Sequence, residues 1–297
     1  MISILIPTYN YNITGLFKVL KTELEIINTD YEVICYEDGS SKHLEDNSKI
    51  INTIAHSRHI ISKDNKGRLT TRQTLAEMAK YDWLLFLDSD VIPNKPNFLH
   101  NYINYLNSNY QAIYGGCSYN FKKPEKQFTL RWKYGKNYED VDAEIRNKTP
   151  FKIIVSANFL IKKDIFLDIN SSVENDGYGY DNFVAAFMKS RGIKVFHINN
   201  NVIHKGLDKN AIFLDKTEKA VDTIFEFNQK NYDTATENSL LELYRKMNSF
   251  RLSKVISFVF RLSKTSIKKQ LLGSNPNLAL FQFYKLGYLC SLTSSRK

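Results

Sequence analysis

Trp83-Leu-Leu-Phe-Leu-Asp-Ser-Asp90 is a run of five apolar residues that ends in two carboxylates. The apolar part predicts a buried strand, so that Asp88 and Asp90 would stand where the strand meets solvent. Two carboxylates two positions apart repel each other unless a cation is present, and Mg²⁺ or Mn²⁺ prefers oxygen ligands. The stretch therefore indicates a metal site at a strand end. Its residues alone also fit a plain acidic turn leading into Pro93.

Strand-like and helical patterns alternate on both sides of this stretch. Ile2–Ile6 and Tyr31–Tyr36 are short apolar runs that end in polar turns, and apolar residues between them recur at helical spacing. Further runs are 69–78 (helical), 111–114 (strand), 153–161 (strand), 181–191 (helical) and 193–197 (strand). The alternation predicts an α/β fold, with a mostly parallel central sheet flanked by helices on both faces.

The ligand crevice of such a sheet lies beyond the carboxyl ends of its strands. Residues 7–10, 37–41 and 88–90 would converge there. Strand signals stop after Ala211, where helical periodicity takes over. We expect a catalytic domain at 1–210 and a helical, basic region at 211–297.

The composition narrows the class of protein. With 43% hydrophobic and 24% charged residues, the 297-residue chain has the make-up of an ordinary folded protein. Its three cysteines are widely spaced and form no CxxC pair, which favours a reducing compartment over a disulfide framework or a zinc knuckle. The first residues do not resemble a signal peptide, and no apolar run is long enough to span a membrane. We therefore expect a cytoplasmic protein.

The net charge of +10 belongs to the C-terminal region. Residues 243–297 contain eleven basic and no acidic residues, whereas residues 1–242 contain 30 basic and 31 acidic ones. Along 251–271 apolar and basic residues fall on opposite halves of a helix, with Leu252, Val255, Ile256, Val259, Phe260, Leu262 and Ile267 on the apolar half. Such a helix can lie peripherally on an anionic membrane, at the inner face of the plasma membrane, or dock its apolar half on protein. Nucleic acid fits less well, because the rest of the chain is near neutral and lacks the reading motifs.

Several motifs together resemble the family 2 glycosyltransferases, which have the Rossmann-like GT-A fold and bind nucleotide-activated sugars. Ser3-Ile-Leu-Ile-Pro-Thr-Tyr-Asn10 resembles the opening strand of that family, which implies donor contacts from Pro7, Thr8, Tyr9 and Asn10. Glu37-Asp38-Gly39-Ser40-Ser41 resembles its nucleotide loop, in which Asp38 would accept a hydrogen bond from uracil. From the residues alone, Asp38-Gly39 also fits an Asx turn.

The resemblance continues through the next helix and strand. Asn65, Gly67 and Arg72 match the family's Asn-x-Gly…Arg-Asn segment on the donor side, although Gln73 replaces its asparagine. Asp88-Ser89-Asp90 matches the Asp-x-Asp motif. This match implies that Asp90 holds Mn²⁺ or Mg²⁺ on the diphosphate. Asp88 would lie at the metal, facing the ribose or the metal-bound water, and Ser89 would be on the donor side.

Gly177-Tyr-Gly-Tyr-Asp-Asn182 is similar to the family's Gly-aromatic-Gly-x-Glu-Asp signature on the acceptor side. The resemblance implies acceptor contacts from Tyr178, Gly179 and Asn182, and a catalytic base at the acidic pair of the signature. Here the second acid is Asn182, and an amide cannot accept a proton at neutral pH. Asp181 is therefore the candidate base. A carboxylate in the first turn of a helix is also a common dipole-stabilising feature.

Two further candidates follow later strands. Val202-Ile-His204-Lys-Gly206 resembles the segment whose histidine completes the metal shell, although a lone histidine is more often structural. Gly116 follows the strand at 111–114 and would lie on the acceptor side, or belong to a plain loop. The insertion at about 120–150 carries Trp132 and Tyr134, which would form an acceptor lid or pack inside the protein.

Together these features predict a metal-dependent inverting glycosyltransferase. It would move a hexosyl or N-acetylhexosaminyl group from a nucleoside diphosphate donor, UDP being favoured, to a glycan or lipid-linked glycan of a bacterial capsule, O-antigen or exopolysaccharide. A nucleotidyltransferase is an alternative, but Thr8–Asn12 lacks the glycines and lysine of a phosphate loop. Asn182 motivates a second alternative, a membrane-docked scaffold with impaired chemistry.

Overall fold

The predicted alternation of strands and helices is confirmed by the computed structural model, which describes residues 1–172, 178–229 and 238–295. The strands are β1 Ile2–Thr8, β2 Tyr31–Asp38, β3 Ser57–Ser62, β4 Trp83–Leu87, β5 Val91–Pro93, β6 Ala112–Tyr114, β7 Cys117–Ser118, β8 Asn158–Lys162, β9 Val195–His197 and β10 Val202–His204. The helices are α1 Thr14–Leu24, α2 Leu44–Ile51, α3 Arg68–Met78, α4 Phe98–Ile103, α5 Thr129–Tyr138, α6 Ala143–Lys148, α7 Lys163–Ser171, α8 Tyr180–Ser190, α9 Asn210–Gln229, α10 Ser239–Ser249, α11 Ser253–Leu271 and α12 Leu278–Ser295.

The chain divides into two units. The first contains residues 1–119, 139–176 and 192–206, and the second contains 120–138, 177–191 and 207–297. The chain enters the second unit for the last time at Leu207, close to the predicted boundary at residue 210. Two earlier segments, which include α5 and α8, also belong to the second unit.

All ten strands belong to the first unit. Seven form a sheet in the order β3-β2-β1-β4-β8-β6-β9, in which only β8 runs antiparallel to its neighbours. Ile2 pairs with Tyr31 and Thr8 with Glu37, so β1 and β2 end side by side, and β4 runs parallel to β1. This register places the loops after β1, β2 and β4 at one edge, as the alternation predicts.

Helices cover both faces of this sheet because its central strands are apolar on both sides. Ile2, Ile4 and Ile6 of β1 pack with one set of helices, in the same core cluster as Phe17 of α1. On the opposite face, the ring of Phe86 in β4 lies 4.5 Å from the ring of Phe166 in α7. The predicted mostly parallel, helix-flanked architecture is therefore confirmed.

A buried histidine contributes to the edge of this sheet. His197 of β9 is 1% exposed, and its Nδ1 lies 2.8 Å from Nη1 of the buried Arg146, which can only donate. His197 Nε2 therefore carries the proton and donates to the carbonyl of Pro150 at 2.8 Å. Burial above all, together with the Arg146 charge, lowers the pKa of His197 to about 4, while the Pro150 bond opposes the shift. The folded protein keeps this imidazole neutral.

We expect this histidine to make the protein sensitive to acid. Its pKa is lower in the folded chain, so its stabilising contribution is present above about pH 6.5 and is lost as the pH falls to 4. The loss amounts to about 3 kcal/mol of the free energy of unfolding at pH 4. Denaturant unfolding between pH 7 and 4 should show a shallower decline for His197→Asn than for the wild type. The exposed His100, changed to Gln, is the control; equal pH slopes in all three proteins would contradict the assignment.

Helices are the regular elements found among the described residues of the second unit. α5 and α9 pack with the last two helices around Leu130, Leu214, Phe260 and Phe281. Tyr134 lies with its ring 5.5 Å from those of both Phe213 and Phe281, so this aromatic residue packs inside the helical unit. Of the two roles left open for the aromatic residues of the insertion, Tyr134 in α5 thus fits the second, packing inside the protein.

The apolar residues of α11 divide into two faces. Phe260, Ile267 and Leu271 are buried, and Phe260 packs against α12 at Gly287, where an added Cβ would lie 2.5 Å from its ring. Leu252, Val255, Val259 and Leu262 are exposed. The apolar half predicted from the sequence is therefore only partly a docking face, because α12 covers one edge of it. Among the described residues, no helix is long and apolar enough to cross a membrane.

Candidate active site

A short antiparallel pair brings Asp90 and His204 together. Asp90 immediately precedes β5, and β5 pairs with β10 so that Val91 is opposite His204. The Lys205 amide extends this pairing by donating to the Asp90 carbonyl at 2.8 Å. The side chains meet as a result, with Asp90 Oδ2 3.5 Å from His204 Nε2. Two residues 114 positions apart in the sequence thus share one end of the sheet.

Gly206 forms the wall beside the Asp90 carboxylate. A Cβ at position 206 would lie 2.0 Å from Asp90 Oδ2 and 2.7 Å from its Cγ, far inside van der Waals contact. The carboxylate can keep its present position beside His204 only because residue 206 has no side chain.

We expect Gly206→Ala to displace the Asp90 carboxylate and to weaken divalent metal binding at least about tenfold, while the sheet stays folded. Calorimetric titration with Mn²⁺ and the melting temperature would separate the two effects. Gly15→Ala makes the same chemical change in α1, where the new methyl meets only Ile92 Cδ1, at 3.3 Å. Unchanged Mn²⁺ affinity in Gly206→Ala would show that this wall does not position the carboxylate.

A cation beside Asp90 would stabilise its ionised carboxylate. Burial raises the pKa of the Asp90 carboxyl, the His204 imidazole opposes this, and the Asp88 charge adds to it. Burial and the Asp90 charge also raise the pKa of Tyr11, a neighbour that the sequence patterns did not single out. The ring of Tyr119 lies 5.8 Å from the ring of His204. A half-buried acid, a second acid close by and an imidazole nitrogen form a donor set that suits Mn²⁺ or Mg²⁺.

Asp88 is held by arginine. Arg72, which is 4% exposed, donates from Nη2 to Asp88 Oδ1, and the same Nη2 lies 3.3 Å from the Ser156 carbonyl. Arg68 Nη2 lies 3.9 Å from Asp88 Oδ2. Arg72, which the family resemblance places on the donor side, therefore meets an acidic group here. Arg68 was not predicted as a site residue. A positive charge in the first turn of a helix is unfavourable with the helix dipole, and this could have indicated that Arg68 has another role.

The loop after β2, which is predicted to bind the nucleotide, is hydrogen-bonded to the segment that begins α3. Asp38 Oδ1 accepts from the Lys66 amide at 2.7 Å, and Asp38 Oδ2 accepts from the Gly67 amide at 3.0 Å. Asn65 Oδ1 also accepts from the Gly67 amide, at 3.1 Å. The structure thus brings Asp38, Asn65 and Gly67 together. An ionised carboxylate has about four lone-pair positions, so Asp38 keeps acceptor capacity for a ligand.

The loop after β1 is joined to the loop after β2 through Asn10. Its side-chain Oδ1 accepts from the backbone amides of Ser41 at 2.8 Å and Lys42 at 3.0 Å. Its backbone amide donates to Ser40 Oγ at 2.8 Å. Thr8 is buried, with Oγ1 3.4 Å from Cys35 Sγ, whereas Tyr9 is 55% exposed. Pro7 is half-buried within β1. Of this predicted donor-side group, Tyr9 is the residue most open to a ligand.

The backbone carbonyl of Gly116 accepts hydrogen bonds from Asn158 Nδ2 at 3.0 Å and from the Val202 amide at 3.3 Å. These bonds join β8 and β10 next to the short strand β7. Ser89 is half-buried between Asp88 and Asp90.

Cys35, Glu37 and His59 form a second group whose ligand atoms lie within 4.8 Å of one another. Burial raises the pKa of the Cys35 thiol well above its usual range, and a neutral thiol is a poor metal ligand. Glu37 Oε1 already accepts from Asn47 Nδ2 at 2.7 Å and lies 3.5 Å from His59 Nε2. We interpret this group as a hydrogen-bonded support beneath the nucleotide loop.

The acceptor-side motif lies in the second unit, and its first residue, Gly177, is outside the described residues. Asp181 is in the first turn of α8, after Gly179, which has a φ of 99°. The Asn182 side chain donates from Nδ2 to the Gly179 carbonyl at 3.1 Å and accepts from Asn238 Nδ2 at 2.7 Å. Asn238 in turn caps α10. Asn182 therefore has a structural role here, and Tyr178 is 42% exposed, with Lys216 Nζ 5.1 Å from its ring centre.

The fold and the carboxylates at the sheet edge agree with the protein family that comparison with known proteins identifies. The profile of Glycosyl transferase family 2 matches residues 3–169, more than half of the chain. The chain belongs to this family, and the resemblance predicted from its motifs is confirmed.

Two curated proteins are similar to this chain in sequence. Poly(ribitol-phosphate) beta-N-acetylglucosaminyltransferase TarP of Staphylococcus aureus is 26% identical over 86% of this chain and 65% of its own. Chondroitin synthase of Escherichia coli is 31% identical over 35% of this chain and 15% of its own length. The chain thus spans from about a seventh to about two thirds of the length of these curated relatives.

Solved structures support the GT-A fold. The mannosyltransferase PcManGT from Pyrobaculum calidifontis, solved with GDP-Man and Mn²⁺, superposes with a TM-score of 0.58 at 11% identity, over 99% of this chain and 86% of its own. Glucosyl-3-phosphoglycerate synthase from Mycobacterium tuberculosis, solved with Mn²⁺ and UDP, gives 0.53 at 14% identity, over 75% of this chain and 78% of its own. The fold predicted from the sequence is confirmed.

Proposed function

We propose that the protein transfers a sugar from a nucleoside diphosphate donor, UDP being favoured, to a hydroxyl of a growing glycan. The observation that carries the proposal is the meeting of Asp90, His204 and Gly206 beyond the carboxyl end of β4, in a chain of family 2. Neighbouring GT-A structures were solved with Mn²⁺ or Mg²⁺ and UDP, which supports the choice of nucleotide and metal.

Asp90 and His204 would hold the divalent ion, with Asp88 beside them. When bound there, the ion would supply positive charge against the diphosphate leaving group. Asp38, Asn65 and Gly67 would bind the nucleoside, and Arg72 would position Asp88 through their ion pair. Tyr9 and Ser89 would complete the donor side.

Asp181 would act as the general base. In this step the acceptor hydroxyl gives its proton to the Asp181 carboxylate, its oxygen bonds to the anomeric carbon, and the bond from that carbon to the diphosphate breaks. Attack from the face opposite the leaving group inverts the anomeric configuration. Tyr178, Gly179 and Gly116 would contribute to the acceptor side. The hydrogen bonds of Asn182 with Gly179 and Asn238 support a structural role for the amide that replaces the family's second acid.

The acceptor class follows from the relatives. TarP is named for N-acetylglucosaminyl transfer to poly(ribitol-phosphate), and chondroitin synthase for a polysaccharide product. We propose a bacterial surface glycan, capsular or teichoic in type, as the acceptor and a hexosyl or N-acetylhexosaminyl group as the transferred sugar. We propose a reducing, cytoplasmic location, which the burial of all three cysteines supports.

The test is to incubate the full chain with UDP-N-acetylglucosamine or UDP-glucose, Mn²⁺ and poly(ribitol-phosphate), and to identify the nucleotide released. Glycosyl transfer releases UDP and stops when EDTA is added. Release of pyrophosphate from a sugar phosphate and UTP would instead favour a nucleotidyltransferase. Tight UDP binding without turnover of any donor would favour the impaired scaffold.

A further inference from the structure

The outward face of α11 carries an exposed apolar strip. Five side chains recur there at spacings of three and four residues, and each is between 43% and 73% exposed: Leu252, Val255, Phe258, Val259 and Leu262. The opposite face, with Ser257, Phe260 and Ile267, is buried against the rest of the helical unit. Folding of the described residues therefore uses one face of α11 and leaves this strip in solvent. A contiguous exposed apolar surface of this kind usually marks an interaction site.

The cations of α11 also divide into two groups. Lys264 and Lys268 face inward, with Nζ atoms 3.3 Å and 3.4 Å from Glu218 Oε1. Arg251, Lys254, Arg261 and Lys269 are exposed. On a helical projection Lys254 and Arg261 flank one edge of the apolar strip and Lys269 lies within it, while Arg251 precedes the helix. No acidic residue occurs between 243 and 297 to offset them. The strip thus has cations along one edge, within it and at its N-terminal end.

We propose that this face, the outward strip of α11 with its four exposed cations, binds peripherally to an anionic lipid surface. Such a surface supplies both an apolar layer for the five side chains and negative charge for the cations. A second copy of the chain would oppose the same cations with its own. A soluble polyanion would match the cations and leave the apolar strip in water. Of these occupants, the anionic bilayer alone satisfies both parts of the face.

The test is vesicle flotation of the full chain with two lipid compositions, phosphatidylcholine alone and phosphatidylcholine with about one third phosphatidylglycerol. We expect binding to the anionic vesicles only, weakened by 0.5 M salt. Lys254→Glu with Arg261→Glu should reduce binding at least about tenfold, and Val259→Ser with Leu262→Ser should have a similar effect.

Matched controls change equally exposed residues of the first unit. Lys18→Glu with Lys95→Glu makes the same charge change, and Ile26→Ser with Ile145→Ser makes the same apolar change. Both should bind as the wild type does, and melting temperatures should confirm that every variant is folded. Three results would overturn the proposal: no binding to anionic vesicles, binding that the apolar pair does not alter, or a dimer in light scattering that the apolar pair dissociates. Binding to soluble poly(ribitol-phosphate) that needs the cations alone, with no vesicle binding, would identify a polyanion as the occupant.

Discussion

Asp90→Asn is expected to reduce sugar transfer about 10³-fold and to remove most metal-dependent binding of UDP. The amide keeps the shape of the side chain but removes the negative charge that faces His204 Nε2 at 3.5 Å. Because burial already disfavours the ionised form of Asp90, the fold gains little from this charge. The fold should therefore tolerate the change, and the melting temperature without metal should stay the same or rise. Initial rates and calorimetric titration of UDP with and without Mn²⁺ measure the effect.

Asp82→Asn is the matched control for this substitution. Asp82 is an exposed aspartate just before β4, at the opposite end of the strand from Asp90, and its backbone carbonyl accepts from the Lys163 amide at 2.8 Å. This variant should transfer sugar at the wild-type rate. If Asp90→Asn keeps wild-type turnover and the same dependence on Mn²⁺, the metal site at the end of β4 is wrongly assigned.

Asp181→Asn is expected to lower turnover about 10²–10⁴-fold while UDP affinity in the presence of Mn²⁺ stays nearly unchanged. A general base acts on the acceptor hydroxyl and has no part in holding the nucleotide, so kcat should fall and donor affinity should not. Initial rates and isothermal titration of UDP provide the two measurements.

The neighbouring amide provides the comparison for Asp181. Asn182→Ala removes the bonds to Gly179 and Asn238, so it should cost about 1 kcal/mol of unfolding free energy for each lost bond and leave turnover near the wild-type value. A larger loss of turnover in Asn182→Ala than in Asp181→Asn would reverse the two roles.

The first unit could be predicted largely from local patterns. Trp83–Leu87 is apolar at every position because β4 is covered on both faces, and this produces an unbroken run that is easily recognised. Asp88 and Asp90 could be placed at the strand end for the same reason. The extent of the second unit was harder to predict, because α5 and α8 come from segments outside 207–297. No local sequence pattern indicates which unit a helix belongs to.

Side-chain partners were also beyond local patterns. The pairing of β5 with β10 joins strands of three residues each, too short for a periodic signal, yet it brings His204 to Asp90. Tyr11 and Arg68 were missed because their relation to Asp90 and Asp88 depends on loop paths across the sheet edge. On α11, periodicity identified one apolar half of the helix but could not tell that α12 covers only one edge of it.

The amino-acid sequence by itself determined the class of fold and the concentration of positive charge after residue 242, and it predicted the edge of the sheet where the candidate site residues lie. These properties depend on the order of apolar and polar residues along short stretches, which backbone periodicity converts directly into strands and helices. Tertiary structure alone decided that Arg72 neutralises Asp88, that Gly206 leaves room for the Asp90 carboxylate, and that five apolar side chains of α11 face solvent. Each of these depends on distances between residues remote in the chain, which only packing of the whole fold sets.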